Sequence, residues 1–232
     1  MNLNRRLLAS YHNYVSEITL RSILLSLNTC YNKSAIFPDK FLIFKAFKSC
    51  PKENVKVIII GQDPYPQKGY ATGLAFANPR DTVNISPSLS LIKDRIFKDF
   101  RGYNEGMVDL PMGDPYPPYF DITLESWAKQ GVLLLNSSLT VEENKPGSHS
   151  NLWYPFMKEF ISRFSLENPG TIYVLFGKEA KILKSFINKN NTILEYNHPT
   201  YYLRTNKEFD CNTFTKVNEI LFKTNKIKIN WK

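Results

Sequence analysis

Four short apolar runs punctuate the chain, and each ends in residues that carry chemistry. Residues 55–60 (VKVIII) run into Gly61-Gln62-Asp63-Pro64-Tyr65, and residues 132–135 (VLLL) run into Asn136. Residues 171–176 (TIYVLF) run into Gly177-Lys178, and residues 192–196 (TILEY) into Asn197-His198-Pro199-Thr200. Continuous β-branched and aliphatic runs of this length predict strands buried in a parallel sheet. In an open α/β sheet, ligands bind outside the carboxyl ends of the strands. A carboxylate, an amide, a glycine turn and a histidine are therefore expected to converge on one rim.

Between and around the runs the apolar spacing turns helical. Residues 5–28 carry a helical region of one or two helices, and Pro38-Asp39 opens a helix to about Lys48. Ser86 is a good N-cap and Pro87 a good first residue for a helix reaching about Phe100. Further helices are predicted over 123–130, with Thr123 as N-cap, and over 153–164, 178–187 and 210–224. Residues 101–121, rich in Gly, Pro, Tyr and Asp, read as a surface loop, longer than a compact domain usually tolerates. Strand and helix alternate four times. The expected fold is α/β: one domain over 1–232, with a central four-stranded parallel twisted sheet flanked by helices on both faces. The helical region 1–37 is expected to pack on it.

Composition narrows the function. With 43% hydrophobic and 14% aromatic residues over 232 positions, the chain can bury a real core. Its 30 basic and 21 acidic residues leave a formal charge of +9, which suits a polyanionic partner such as nucleic acid or, equally, a Lys-rich solvated surface. Three separated cysteines (Cys30, Cys50, Cys211) form no C-x-x-C pair and predict a reduced, intracellular protein, in the cytoplasm or the compartment that holds DNA. The histidines (His12, His149, His198) lack metal-ligand spacing, so no metal and no other cofactor is expected. No run is long enough for a membrane span, and the first residues show no signal-peptide core.

Three of the strand-end residues have chemistry of their own. Asp63, held by Pro64, can orient water or stabilise an electron-poor sugar carbon, although a lone Asp there also reads as a turn or cap residue. Asn136 offers one acceptor and two donors, suited to a base edge or to a structural role. His198 is a candidate electrostatic donor; a lone His at a strand end is more commonly structural.

Taken together, the blocks point to a family. Gly61-Gln62-Asp63-Pro64-Tyr65 with Gly73-Leu74-Ala75-Phe76 resembles the water-activating segment of the family 1 uracil-DNA glycosylases. Trp127 to Asn136, with Leu139-Thr140-Val141 and Ser148-His149, is similar to a second block of that family, and His198-Pro199-Thr200 to a third, usually His-Pro-Ser. Cys211, Phe214 and the ending Ile229-Asn230-Trp231 also fit. The resemblance implies a monofunctional enzyme that flips deoxyuridine out of DNA and hydrolyses its N-glycosidic bond. Asp63 would position the water and stabilise an oxocarbenium-like sugar, and His198 would hydrogen-bond the departing uracil anion. Asn136 would read the uracil edge, Phe76 would stack on it, Tyr65 would exclude a 5-methyl group, and Gln62 would line the pocket through its backbone. DNA contacts are expected from Pro64, Ser86, Pro87, Ser88, Gly177, Lys178, Pro199, Thr200, Tyr202 and Leu203. The implied partners are uracil-containing DNA, single- or double-stranded, and a proteinaceous uracil-glycosylase inhibitor; the expected state is a monomer, away from membranes.

The chain departs from the family pattern at several points. Pro66 stands where the family usually has His, Lys178 where Ser is usual, and Asn206 where Arg is common. After His-Pro the family commonly has Ser-Pro-Leu; here Thr200-Tyr201-Tyr202-Leu203 follows, so the DNA wedge is Tyr202 by direct register or Leu203 after a one-residue shift. A glycosylase fold used only as a DNA-binding or processivity subunit is the alternative, and retention of Asp63, Asn136 and His198 argues against it. A zinc deaminase fails for want of its His-x-Glu and Pro-Cys-x-x-Cys signature.

Overall fold

The computed structural model describes residues 3–100, 120–209 and 212–232. In chain order, α1 (Leu3–Leu8) and α2 (Glu17–Tyr31) lead to β1 (Ile36–Phe37), α3 (Lys45–Ser49), β2 (Val57–Gly61) and α4 (Pro87–Phe100). Then come α5 (Glu125–Lys129), β3 (Val132–Asn136), β4 (Val141–Glu142), α6 (Ser150–Glu167), β5 (Ile172–Phe176) and α7 (Lys178–Ile182). Last are β6 (Thr192–Tyr196), α8 (Pro199–Thr205) and α9 (Thr213–Lys223). The expected loop at 101–121 falls, apart from its last two residues, outside the described residues, as does Asp210 at the expected start of the final helix.

The four apolar runs become one parallel sheet in the order β3-β2-β5-β6. Every residue of β2, β3 and β5 is buried, which is why those runs lack alternation. The edge strand β6 is buried only at Leu194 and carries exposed positions such as Glu195. Helices flank the sheet, with α3 and α5 against β3 and α7 against β5.

One continuous hydrophobic cluster runs from Leu8 to Trp231. The N-terminal region joins it: the Tyr11 ring packs edge-on against Phe47 and Phe160, and its hydroxyl donates to the Cys50 carbonyl at 2.5 Å. At the other end, Trp231 packs edge-on against Trp127, with ring centroids 4.9 Å apart, and against Phe214 at 5.1 Å. The Trp127 indole N–H donates to the Trp231 carbonyl. The C-terminal tail is thus anchored by ring packing rather than by a strand or helix.

Several local expectations change. The break between α1 and α2 is set by Ser16, whose hydroxyl accepts the Thr19 N–H as an N-cap. The helix expected from Pro38 begins only at Lys45. The residue before α5 is Leu124 rather than Thr123; the Asp121 carboxylate accepts the Ser126 N–H at 2.8 Å and the Thr123 N–H at 3.0 Å, and the Thr123 hydroxyl accepts the Glu125 N–H at 3.4 Å. Helix α6 starts at Ser150 and runs 18 residues, past both expected ends. Beyond α7 the chain tightens into a 3-10 turn over Leu183–Phe186. The ribbon β1–β4 and helix α8 were not legible: two-residue strands have no period, and α8 depends on a cap that only its own geometry reveals.

Truncating Trp231 to Ala removes the ring that closes this end of the core. Large buried aromatics lose about 3–5 kcal/mol on such a change. Equilibrium urea unfolding of Trp231→Ala should show that loss, with an unchanged m-value; a loss below about 1 kcal/mol would contradict the anchoring role.

Candidate functional site

Gly61 ends β2 directly opposite Asn136, the last residue of β3. A Cβ at Gly61 would lie 2.6 Å from Asn136 Oδ1 and 3.1 Å from the Phe76 ring. Only a bare Cα lets the amide and the ring meet over the strand end. Phe76 sits at φ 66, in the left-handed region that bulky residues avoid. Its neighbours over-determine that backbone: Tyr65 Oη donates to the Phe76 carbonyl at 2.9 Å, Ala75 N donates to Leu134, and Asn78 N to Ile122. Gly73, at φ 83, passes so close to the Leu42 carbonyl that no side chain fits there.

Asp63 follows β2 by two residues. Its Oδ2 accepts the Gly147 N–H at 2.8 Å and the Gln62 amide at 2.9 Å. Burial raises the carboxyl pKa above its ordinary value, opposed by those two donors, by the Ser138 hydroxyl and by the nearby His149. The loop carrying Gly147 is tied back through the Asn144 N–H, which donates to the Pro66 carbonyl at 3.0 Å.

His198 follows β6 by two residues and caps α8. Its Nδ1 accepts the Thr200 N–H at 3.3 Å and lies 2.9 Å from the Thr200 hydroxyl. An Nδ1 that accepts carries no proton, so the network assigns the ring proton to Nε2. Burial, with a lesser contribution from Arg204, lowers the pKa to about 4, so the ring is a neutral donor at neutral pH. The Phe76 ring lies 5.8 Å from the imidazole, and Gly177, at φ 93, would place a Cβ 3.1 Å from His198 Cβ.

These groups share one cleft, of about 440 Å³ counting its open mouth. Asp63, Pro64, Tyr65, Phe76, Asn136 and His198 line it, together with Ile43, Thr72 and Leu139. Ile43 and Thr72 escaped the sequence reading because nothing in their local pattern separates them from core and loop residues. Gln62 is not part of this lining. Its amide holds Asp63, and its carbonyl accepts from the Ser137 hydroxyl and the Ser138 N–H.

The other expected contact residues are placed unevenly. Ser86 and Ser88 are only 4% and 3% exposed, and the Ser86 hydroxyl donates to Tyr65 Oη at 2.6 Å. They present little surface to a ligand, whereas Pro87 between them is exposed. Lys178 is exposed, Gly177 and Pro199 are buried, and Thr200 supports His198. On α8 the Tyr202 ring packs against Phe209 at 5.0 Å, whereas Leu203 is 52% exposed. Among the described residues, no group of three or more His, Cys, Asp or Glu could hold a metal ion, and no helix is long and apolar enough to cross a membrane.

The lowered pKa has a checkable sign. Between about pH 6.5 and 4 the unfolded chain takes up a proton at His198 that the native state refuses, so stability falls as pH drops through that window. An NMR titration of the imidazole should give a midpoint near 4, and His198→Gln should flatten the acid-side stability loss. A midpoint at or above the ordinary value would refute the neutral-donor assignment.

Over residues 47–222 the sequence matches the family profile described as the Uracil DNA glycosylase superfamily. A uracil-DNA glycosylase of Campylobacter jejuni is 41% identical over 208 residues, covering 89% of this chain and 83% of the relative. One from Campylobacter lari is 38% identical over 232 residues, covering 96% and 93%. A mimivirus UNG variant in complex with UGI matches the fold with a TM-score of 0.78 at 24% identity, covering 100% of this chain and 88% of that one. With a profile match over most of its length and relatives at this identity, the chain belongs to the uracil DNA glycosylase superfamily.

Proposed function

We propose that this protein is a monofunctional uracil-DNA glycosylase, which hydrolyses the N-glycosidic bond of deoxyuridine and leaves an abasic site. The observation that carries the reading is the meeting of Asp63, Asn136 and a neutral His198 around the Phe76 ring in one cleft. The target base must leave the duplex stack to enter such a cleft. There Phe76 stacks on the base, and the Asn136 amide pairs with its N3–H and O4 edge. Tyr65, held by Ser86 and by the Phe76 carbonyl, crowds the 5-position.

As the bond from C1′ to N1 breaks, the electron pair leaves with uracil, and positive charge develops on the sugar. The Asp63 carboxylate stabilises that charge and directs water to C1′. His198 Nε2–H stabilises the uracil anion. A neutral donor suits this task, because it stabilises the leaving oxygen without surrendering its proton to it.

Uracil-containing DNA is the proposed partner. The Pro87 end of α4, the exposed Lys178 and Leu203 are the proposed contacts at the rim. Leu203 rather than Tyr202 is the proposed wedge, because the Tyr202 ring is engaged with Phe209. Since the mimivirus UNG variant is in complex with UGI, we extend the proposal to an inhibitor of that kind. In the same reading the enzyme acts as a monomer in the compartment that holds the DNA. A pure binding subunit has no need of this polar trio.

Asp63→Asn should slow single-turnover uracil release by at least about 10²-fold while DNA binding persists. His198→Ala should do likewise, and the double variant should fall short of the product of the two losses. Alkali cleavage of a uracil-containing oligonucleotide reads both; near-normal turnover in Asp63→Asn would sink its assignment. For the wedge, Leu203→Ala should slow duplex cleavage more than single-strand cleavage, because unstacking costs about a few kcal/mol only in the duplex. A duplex-selective loss in Tyr202→Ala alone would reverse the choice.

A further inference from the structure

At Pro66 this chain leaves its family's usual residue, and the segment that follows folds back onto Tyr65. Residues 67–70 form a turn: the Tyr70 N–H donates to the Gln67 carbonyl at 3.4 Å, with Gly69 in the third position at φ 87. A positive φ at that position is what a type II turn demands. A Cβ on Gly69 would meet nothing within 4 Å, so the glycine serves the direction of the chain and not a close approach. The turn delivers the Tyr70 ring edge-on to the Tyr65 ring, with centroids 6.2 Å apart and an interplanar angle of 72°. The Tyr70 hydroxyl donates to the Asn84 carbonyl at 3.3 Å.

These contacts close a circuit. Asn84 stands two residues before Ser86, whose N–H donates to Asn78 Oδ1 at 2.7 Å and whose hydroxyl donates to Tyr65 Oη at 2.6 Å. Tyr65 is therefore gripped at its tip by Ser86 and the Phe76 carbonyl, and on its ring by Tyr70. The two tyrosines face different spaces. Tyr65 lines the cleft, whereas Tyr70 lines an outer groove with Lys68, Pro79 and Val83.

With its Cα set by the backbone beside Pro64 and its Oη set by two partners, the axis of the Tyr65 ring is fixed. What remains is rotation about that axis, a torsion that is broad and two-fold when left to itself. An aromatic ring is thinner through its faces than across its edge, so this rotation decides how far Tyr65 projects toward whatever lies beside it. Edge-to-face packing is a favoured arrangement of aromatic pairs, and here it opposes the rotation. We propose that Tyr70 is a positioning residue for base selection: its ring holds the plane of Tyr65 and so sets the room left at the 5-position of the bound pyrimidine. The inference rests on the role given to Tyr65 above. Tyr70 acts through Tyr65, from the side away from the base.

The test compares Tyr70→Ala, which removes the ring, with Tyr70→Phe, which keeps the ring and gives up the Asn84 hydrogen bond. Single-turnover release is measured from oligonucleotides carrying uracil, 5-fluorouracil or thymine, a ladder of growing 5-substituents. Each rate is taken relative to uracil and then to the native protein, which cancels the effect of fluorine on the leaving group. One methyl group in a pocket is worth roughly 10- to 200-fold, so the relative thymine rate should rise about tenfold or more in Tyr70→Ala. The 5-fluorouracil ratio should rise less, and uracil release itself should stay within about threefold of native. Tyr70→Phe should keep the native ratios. In parallel, ¹³C relaxation of the Tyr65 ring in the free proteins should show faster ring flips in Tyr70→Ala than in Tyr70→Phe or the native chain. Unchanged ratios in Tyr70→Ala, equal rises in the two variants, or unchanged ring flips would overturn the proposal. Should Tyr70→Ala not fold, Tyr70→Leu, which keeps bulk without a planar edge, takes its place. A native protein that releases no uracil would overturn the glycosylase reading, while the ring flips still decide whether Tyr70 holds Tyr65.

Discussion

The central strand of the sheet ends in a residue with no side chain, and the cleft is built over that gap. At Gly61 the Asn136 amide comes within 2.6 Å of where a Cβ would stand, and the Phe76 ring within 3.1 Å. A methyl group there would push apart the polar edge and the aromatic face that together define a slot for a flat, hydrogen-bonding ring. The surrounding backbone accepts unusual geometry to keep that slot: Phe76 lies in the left-handed region, and Gly73 is wedged against the Leu42 carbonyl. The fully buried strands β2, β3 and β5 supply the rigidity that makes such strain tolerable.

Electrostatics then divides the labour. Burial acts on Asp63 and on His198 in opposite directions, raising the pKa of the first and lowering that of the second. Asp63 differs in that the Gln62 amide and the Gly147 N–H donate to its Oδ2 and oppose the effect of burial. His198 gains no such partner and has Arg204 nearby, so it stays neutral. A carboxylate acceptor and a neutral donor in one cleft suit bond cleavage between a sugar and a leaving base, where cationic character develops on one side and anionic on the other.

The rim is less conventional than the interior. Ser86, which reads in sequence as a helix cap poised for phosphate, instead turns inward to hold Tyr65. The Lys178 cation stands exposed beside Gly177, whose lack of a side chain serves the packing of His198. Helix α8 presents Leu203 to the outside while Tyr202 is engaged with Phe209. The departures of this chain from its family's usual residues thus gather where nucleic acid is expected to touch, and the interior cleft keeps its groups.

Much was legible in the sequence because it depends on short-range regularities. The four buried runs predicted the parallel strands, and the residues that end them named Asp63, Asn136 and His198, since a strand's last residues must lie at its carboxyl end. Which side chains face the cleft was beyond that logic. Ile43 and Thr72 enter it from distant segments, Gln62 turns to Asp63, and the helix at Pro199–Thr205 decides between Tyr202 and Leu203. The proton on His198 Nε2 and the inner face of Asp63 follow from hydrogen bonds whose partners the chain brings together only on folding, up to 84 residues apart for Gly147 and Asp63. Periodicity fixes where a strand ends; directions and protonation states belong to contacts between segments, and only the tertiary structure makes those.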